Sequence, residues 1–274
     1  MRLLFITPLL WLPLLWLLAA PLWADARAQV LMDVLKVDEV ARILQAEGLD
    51  YAQTLNQDML GGQGGAGWQL QVDAIYNPQR ITETLRGYLE AELQGDMREQ
   101  TIDFLASGVG AQIIALENAA RAAITDQEIE NAARTRFAEL EGSNDPRLAQ
   151  ITALIEAGDM IDRNVTAAMN SNYQFLRGLA DGGAMDMTQE EMLAEVGGQQ
   201  DEIAEDTTGW LYGYLLMAYS PLEDNALDHY ITFAQTKAGM ALNRALFDGY
   251  GAAYAEISYA LGRAVALNMV AEEL

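Results

Sequence analysis

The chain has 274 residues, with 16 basic and 40 acidic side chains, a formal net charge of −24 and no cysteine. So acidic a surface repels nucleic acid and anionic lipid headgroups, because both bind proteins through cationic patches. The lack of cysteine excludes thiol nucleophiles, thiolate metal sites and disulfide bonds. A chain of this length can bury a hydrophobic core without disulfide support.

The N-terminal segment has the layout of a secretory signal peptide. Arg2 precedes an apolar run over residues 3–18, and small-residue cleavage sites follow within residues 24–28. The run is shorter than the roughly 20 residues that a membrane-spanning helix prefers. We therefore predict a signal peptide over residues 1–28, a periplasmic or secreted location, and no integral membrane segment after its removal. An uncleaved anchor is the alternative.

The remainder of the chain is predicted to be helical, because apolar residues recur at spacings of three and four. One such stripe consists of Leu227, Tyr230, Ile231 and Ala234. Long alternating runs of β-branched and aromatic residues, which are typical of strands, do not occur. The sequence thus predicts an all-α fold, arranged as a helical bundle.

Glycine and helix-start signals divide this helical region. The glycine-rich stretch 61–67 predicts a flexible loop, since consecutive glycines lose much backbone entropy in a helix. Three helix starts are predicted from the Ser/Thr-x-x-Glu spacing of a capping box, at Thr125, Thr188 and Ser220. At the last of these, Pro221 occupies the first helical position, where its missing N–H has no cost.

A short pattern occurs twice. Its first copy is Ile102, Phe104, Ser107 and Gly110, and its second copy is Ile231, Phe233, Thr236 and Gly239. The offset is constant, since 231 − 102 and 239 − 110 both give 129. We predict two related multi-helix units over residues 29–141 and 146–274, joined at the Gly/Asn/Pro-containing stretch between them.

Each copy of the pattern places an aromatic ring, a hydroxyl and a glycine near a helix junction. We expect the phenylalanines to be buried and the hydroxyls to cap the following helix. The glycines would allow another helix to approach closely, or provide a left-handed cap. The alternative is a ligand-binding groove between the two copies, lined by the phenylalanines.

The run from Phe104 to Gly110 resembles the Phe-aromatic-x-Ser-Pro-x-Gly core of the DUF2059 family, a group of mostly exported bacterial helical proteins of unknown function. Residues 89–99 stand where that family has a run of acidic, helix-starting residues. Gly108 and Lys237 stand where the family usually has proline, so both copies depart from its pattern. The resemblance implies a helical, exported protein and carries no activity, catalytic residue or cofactor with it.

Catalytic chemistry has little support in the sequence. His229 is the only histidine, so zinc and di-iron motifs that need two histidines are excluded. Asp224, Asp228 and His229 follow one another along a predicted helix and are either a weak divalent-ion site or a solvated acidic face. We favour the solvated face and predict no catalytic, cofactor-binding or metal-binding residues.

Aromatic residues cluster in two segments of the second unit. Trp210 and Tyr214 lie in one, and Tyr250 and Tyr254 in the other. They are predicted to lie in the core or at its edge, and they are also the candidate interaction surface, since tyrosine and tryptophan are enriched at interfaces.

The leading hypothesis is a non-enzymatic interaction or binding module of the bacterial cell envelope, with an unknown protein partner. It predicts an exposed apolar patch near the tyrosines. The alternative is a binder of a small apolar ligand in a cavity between the two halves, which predicts such a cavity. A hydrolase that uses His229 is a further alternative, and it requires that histidine to lie in a cleft.

Overall fold

The computed structural model describes residues 19–272, with side chains over 26–269. Over these residues the chain forms thirteen helices and no strand, which confirms the predicted all-α fold. The helices are α1 Ala19–Val34, α2 Val37–Leu60, α3 Gly65–Ile75, α4 Pro78–Glu92, α5 Asp96–Leu105, α6 Gly108–Ala123, α7 Gln127–Leu140, α8 Pro146–Gly158, α9 Met160–Asp181, α10 Gln189–Gly198, α11 Gln200–Ala218, α12 Asp224–Ala234 and α13 Lys237–Glu272.

Residues 1–18 of the predicted signal peptide lie outside the described residues. Its last part belongs to α1, whose Ala28 and Leu31 are buried. Just before them, the Arg27 Nε donates a hydrogen bond of 2.9 Å to Glu99 on α5. Within residues 19–272, no helix has both the length and the apolarity needed to cross a membrane.

Of the three predicted capping boxes, one is present. Thr188 caps α10 reciprocally with Glu191. The prediction at Thr125 is wrong, because its hydroxyl donates back to the carbonyl oxygen of Ala122, and Asp126 caps α7 instead. The prediction at Ser220 is also wrong, because its hydroxyl bonds back to the preceding helix in the same way and α12 begins only at Asp224. A hydroxyl can satisfy a free carbonyl at the end of one helix as readily as an N–H at the start of the next.

The predicted loop over residues 61–67 is shorter than expected. Gly61 and Gly62 form a left-handed turn, but α3 already begins at Gly65. Burial of Trp68 and Val72 against the core explains this difference, since it provides the tertiary contacts that offset the low helix propensity of glycine.

Helix contacts follow the same scheme in both halves of the chain. In the first half, α1 packs on α5 and α2 packs on α4. In the second half, the corresponding pairs are α8 on α12 and α9 on α11. Between the halves, α4 packs on α13, while α11 packs on α6 and α7. In the part of the chain that the structure describes, each half also has one non-glycine residue with a left-handed backbone, Lys36 between α1 and α2 and Asp159 between α8 and α9. The long helix α13 therefore packs against the first half as α6 and α7 pack against the second half.

Helices α9 and α13 are in direct backbone contact. A Cβ atom on Gly178 would lie 2.2 Å from the carbonyl oxygen of Tyr259, and one on Gly262 would lie 2.1 Å from that of Phe175. Only glycine permits so close an approach at both positions. This contact fixes α9 against the C-terminal half of α13, and the same two helices form one side of the cleft described below.

Candidate functional site

The two copies of the repeated pattern form the same tight corner between helices. Ser107 lies between α5 and α6, where its Oγ donates to the carbonyl oxygen of Phe104 and accepts from the N–H of Gly110 at 3.1 Å. Thr236, between α12 and α13, donates to Phe233 and accepts from the N–H of Gly239 at 3.0 Å. The predicted hydroxyl caps are thus present in both copies.

The apolar residues and the glycines of the pattern are buried or half-buried, whereas Thr236 is exposed. The rings of Phe104 and Phe233 are stacked, Ile102 is buried, and Ile231 is half-buried in a neighbouring cluster. Gly110 and Gly239 have ordinary helical backbones and instead allow close contact with the preceding turn of chain. Among the described residues, none of the eight lines either of the clefts described next. Their arrangement therefore gives no support to a ligand groove lined by the phenylalanines.

A cleft of about 280 Å³ lies between α2, α6, α9, α11 and α13, and we call it the aromatic cleft. Three of the four candidate interaction residues, Tyr214, Tyr250 and Tyr254, line it. The fourth, Trp210, stacks on Tyr214 with 5.0 Å between ring centroids. All four are half-buried around this cleft, so they do not form the exposed apolar patch that the interaction hypothesis predicts.

A salt bridge between α2 and α6 lies where the aromatic cleft meets a second cleft. Arg121 donates to both carboxylate oxygens of Glu47, at 2.7 and 2.6 Å, and its guanidinium lies 5.3 Å from the centre of the Trp210 ring. The second cleft has a volume of about 400 Å³ and shares Leu44, Arg121 and Tyr254 with the first. Such a bidentate, partly buried pair is geometrically specific and rigid.

A carboxyl group lies beside this salt bridge on α6. The Glu117 side chain accepts hydrogen bonds from the hydroxyls of Tyr219 and Tyr230, and its backbone carbonyl accepts one from Tyr214 at 3.0 Å. Burial raises the pKa of the Glu117 carboxyl above its usual range, although the two tyrosine hydroxyls oppose this shift. Burial likewise raises the pKa of Tyr219 and of Tyr230, so both hydroxyls remain protonated donors.

Asn118 has a buried amide nitrogen with no partner. The residue is 6% exposed and lines the aromatic cleft, and its Nδ2 forms no hydrogen bond with any described protein group. Buried polar atoms nearly always have a partner, so an exception in a cleft wall points to a ligand or solvent group.

Sequence reasoning missed Glu47, Glu117, Asn118 and Arg121. No local motif marks them, since each is a single polar residue on an amphipathic helix. One signal was present in the repeat. At the offset of 129, Glu117 corresponds to Leu246, Asn118 to Phe247 and Arg121 to Tyr250. Polar residues in the first copy thus stand where the second copy has apolar or aromatic residues. Such a difference between equivalent positions indicates that the two copies provide different surroundings there.

The charged group around His229 lies outside both clefts. His229 is exposed on α12, so its position gives the hydrolase hypothesis no support. Nearby, Asp224 accepts a hydrogen bond from Arg147 at 2.8 Å and Asp228 accepts one from Gln150 at 2.7 Å. Within the described part of the chain, no three histidine or acidic side chains are grouped so that they could hold a metal ion.

Comparisons of the chain with protein-family models, with curated proteins and with solved structures find no match. The resemblance to the DUF2059 family therefore stays a prediction, and the function has to be argued from the clefts themselves.

Proposed function

We propose that this protein is a non-enzymatic binder of a small, largely apolar molecule, held in the aromatic cleft between its two halves. One observation carries the proposal: aromatic rings from α11 and α13 and a short row of polar groups on α6 line the same cleft of about 280 Å³. Mostly apolar concavities with a few fixed polar groups, on the order of 300–1,000 Å³, are the usual form of small-molecule sites. The adjoining cleft of about 400 Å³ provides room for a longer ligand.

We further propose that the halves are diverged copies of one exported helical unit. The matching corners at Ser107 and Thr236, the equal offset and the parallel scheme of helix contacts support this origin. A cleft between two copies can become asymmetric by substitution of one copy alone, because each copy provides one wall. The binding function would then reside in the pairing of the halves and not in either half.

Gly251 offers a direct test of the proposal. It lies on α13 in the wall of the aromatic cleft, and a Cβ atom added to it meets no other atom within 4 Å. Gly251→Leu should therefore place a side chain in the cleft without disturbing the surrounding backbone. Replacing a helical glycine also favours the helix by up to about 1 kcal/mol, so we expect no loss of thermal stability.

The measurement is a titration with Nile red, an uncharged dye whose emission shifts to the blue in apolar surroundings. We expect the wild-type protein to bind it in stoichiometric amount and Gly251→Leu to weaken binding at least tenfold. Gly87→Leu is the matched control, because Gly87 is an exposed helical glycine on α4 with equal free space around its Cβ position and no part in either cleft. Equal binding by all three proteins, or none by the wild type, would show that the aromatic cleft is not a binding site.

A further inference from the structure

Two walls of the aromatic cleft differ in chemistry. The α6 wall is mainly polar, and its lining residues are Ile114, Glu117, Asn118 and Arg121. The α13 wall is mainly apolar, and its lining residues are Leu246, Phe247, Tyr250, Gly251 and Tyr254. A molecule in this cleft can therefore contact polar groups on α6 and apolar groups on α13.

The charges in this cleft do not favour an anion. Arg121 is the only basic residue among the described residues that line the aromatic cleft, and Glu47 already holds it through two short hydrogen bonds. An anionic ligand would have to displace that carboxylate, and Glu117 beside it would repel a second negative charge. The formal net charge of −24 adds a long-range repulsion.

The polar wall does not favour a cation either. The Glu117 carboxyl already accepts hydrogen bonds from two tyrosine hydroxyls, which leaves it less capacity to pair with an ammonium group. The neighbouring Asn118 provides the one buried donor of this wall that has no partner, its Nδ2. An N–H donor needs an oxygen or nitrogen with a lone pair, and it repels a positively charged group.

We propose that the ligand is an uncharged amphipathic molecule, with a hydroxyl, carbonyl or ester oxygen placed at Asn118 on α6 and an apolar body packed against Leu246, Phe247 and Tyr250 on α13. This inference rests on the proposed function, since it assigns a chemical class to the ligand of the same cleft. Arg121 and Glu47 then bind each other, and Glu117 binds the hydroxyls of Tyr219 and Tyr230, so none of the three charged groups is required to bind the ligand.

The test uses three probes that share one alkyl chain: decanol, decanoate and decylamine, which are neutral, anionic and cationic at neutral pH. Binding of each is measured by calorimetry on the full chain, with Nile red titrated alongside. We expect decanol to bind at least tenfold more tightly than either charged probe. Asn118→Leu should weaken decanol binding about tenfold, since one buried hydrogen bond is lost.

Folding is controlled in the same experiment. Asn118→Leu removes an amide nitrogen that has no partner, so its midpoint of thermal unfolding should lie close to that of the wild type. Asn243→Leu is the comparison, because the Asn243 Nδ2 donates to the carbonyl oxygen of Gly158 at 2.7 Å outside the cleft. That variant should lose stability and keep its relative preference for decanol.

The outcomes separate the two proposals. Suppose that Nile red binds, but that decanoate or decylamine binds as tightly as decanol, or that decanol does not bind at all. Either result overturns the assignment of a neutral ligand, while the proposed binding function stands. An unchanged decanol affinity in Asn118→Leu overturns the role of that amide. If neither Nile red nor any of the three probes binds, the proposed function itself fails.

Discussion

The rings of Phe104 and Phe233 lie parallel in the interior, with 4.1 Å between their centroids and 3° between their planes. Each ring comes from the same position of its copy of the repeated pattern, so the two halves meet through equivalent residues. Tyr230 extends this stack, with its ring centroid 6.0 Å from that of Phe104, and Tyr230 in turn hydrogen-bonds to Glu117. Aromatic packing between the halves is therefore continuous with the polar wall of the aromatic cleft.

A double-mutant cycle at this pair tests whether the halves are energetically coupled there. We expect Phe104→Leu and Phe233→Leu each to lower the free energy of unfolding by about 1 kcal/mol, since volume changes little but the ring contact is lost. The double variant should lose less than the sum of the single losses, with a coupling of about 1 kcal/mol. Urea unfolding at equilibrium measures all four proteins. Strict additivity would show that the rings contribute only by burial.

The glycines of the repeated pattern should be intolerant of any side chain. A Cβ atom on Gly110 would lie 2.2 Å from the carbonyl oxygen of Phe104, and one on Gly239 would lie 2.1 Å from that of Phe233. Because the obstacle is backbone in both cases, Gly110→Ala and Gly239→Ala should each cost about 2 kcal/mol of stability. The measurement is again urea unfolding.

Gly108→Ala is the matched control for these two variants. Gly108 belongs to the same corner at the start of α6, is exposed, and has no atom within 4 Å of its Cβ position. We expect that variant to equal the wild type or to be slightly more stable, given the higher helix propensity of alanine. A similar loss in all three variants would contradict the steric explanation.

Features set by neighbouring residues were partly predictable from the sequence, whereas features set by distant residues were not. The helical class and the cap at Thr188 follow from local spacing, and both are confirmed. The caps expected at Thr125 and Ser220 failed because the same hydroxyls bond to the preceding helix. The polar wall escaped prediction because its partners are far along the chain: Tyr219 is 102 positions from Glu117, and Glu47 is 74 from Arg121.

The raised pKa of Glu117 gives stability a pH dependence of definite sign. A carboxyl whose pKa is higher in the folded protein binds more protons there than in the unfolded chain at intermediate pH. Stability is therefore lost as pH rises from about 4.3, the usual value for glutamate, through the raised value, and it is constant above that. Glu117→Gln keeps a hydrogen-bond acceptor but cannot ionise. We expect the stability of this variant relative to the wild type to increase with pH across that window, measured by urea unfolding at a series of pH values.

Glu191 provides a control of opposite sign in the same measurement. Its carboxylate accepts hydrogen bonds from the backbone N–H and hydroxyl of Thr188, which lower its pKa. A lowered pKa contributes stability that is present above the unfolded-state value and is lost as pH falls through the folded-state value. Relative to Glu191→Gln, the wild type should thus gain stability as pH rises, whereas relative to Glu117→Gln it should lose it. Two difference curves of the same sign would contradict the assignment of Glu117 as a carboxyl group that burial makes harder to ionise.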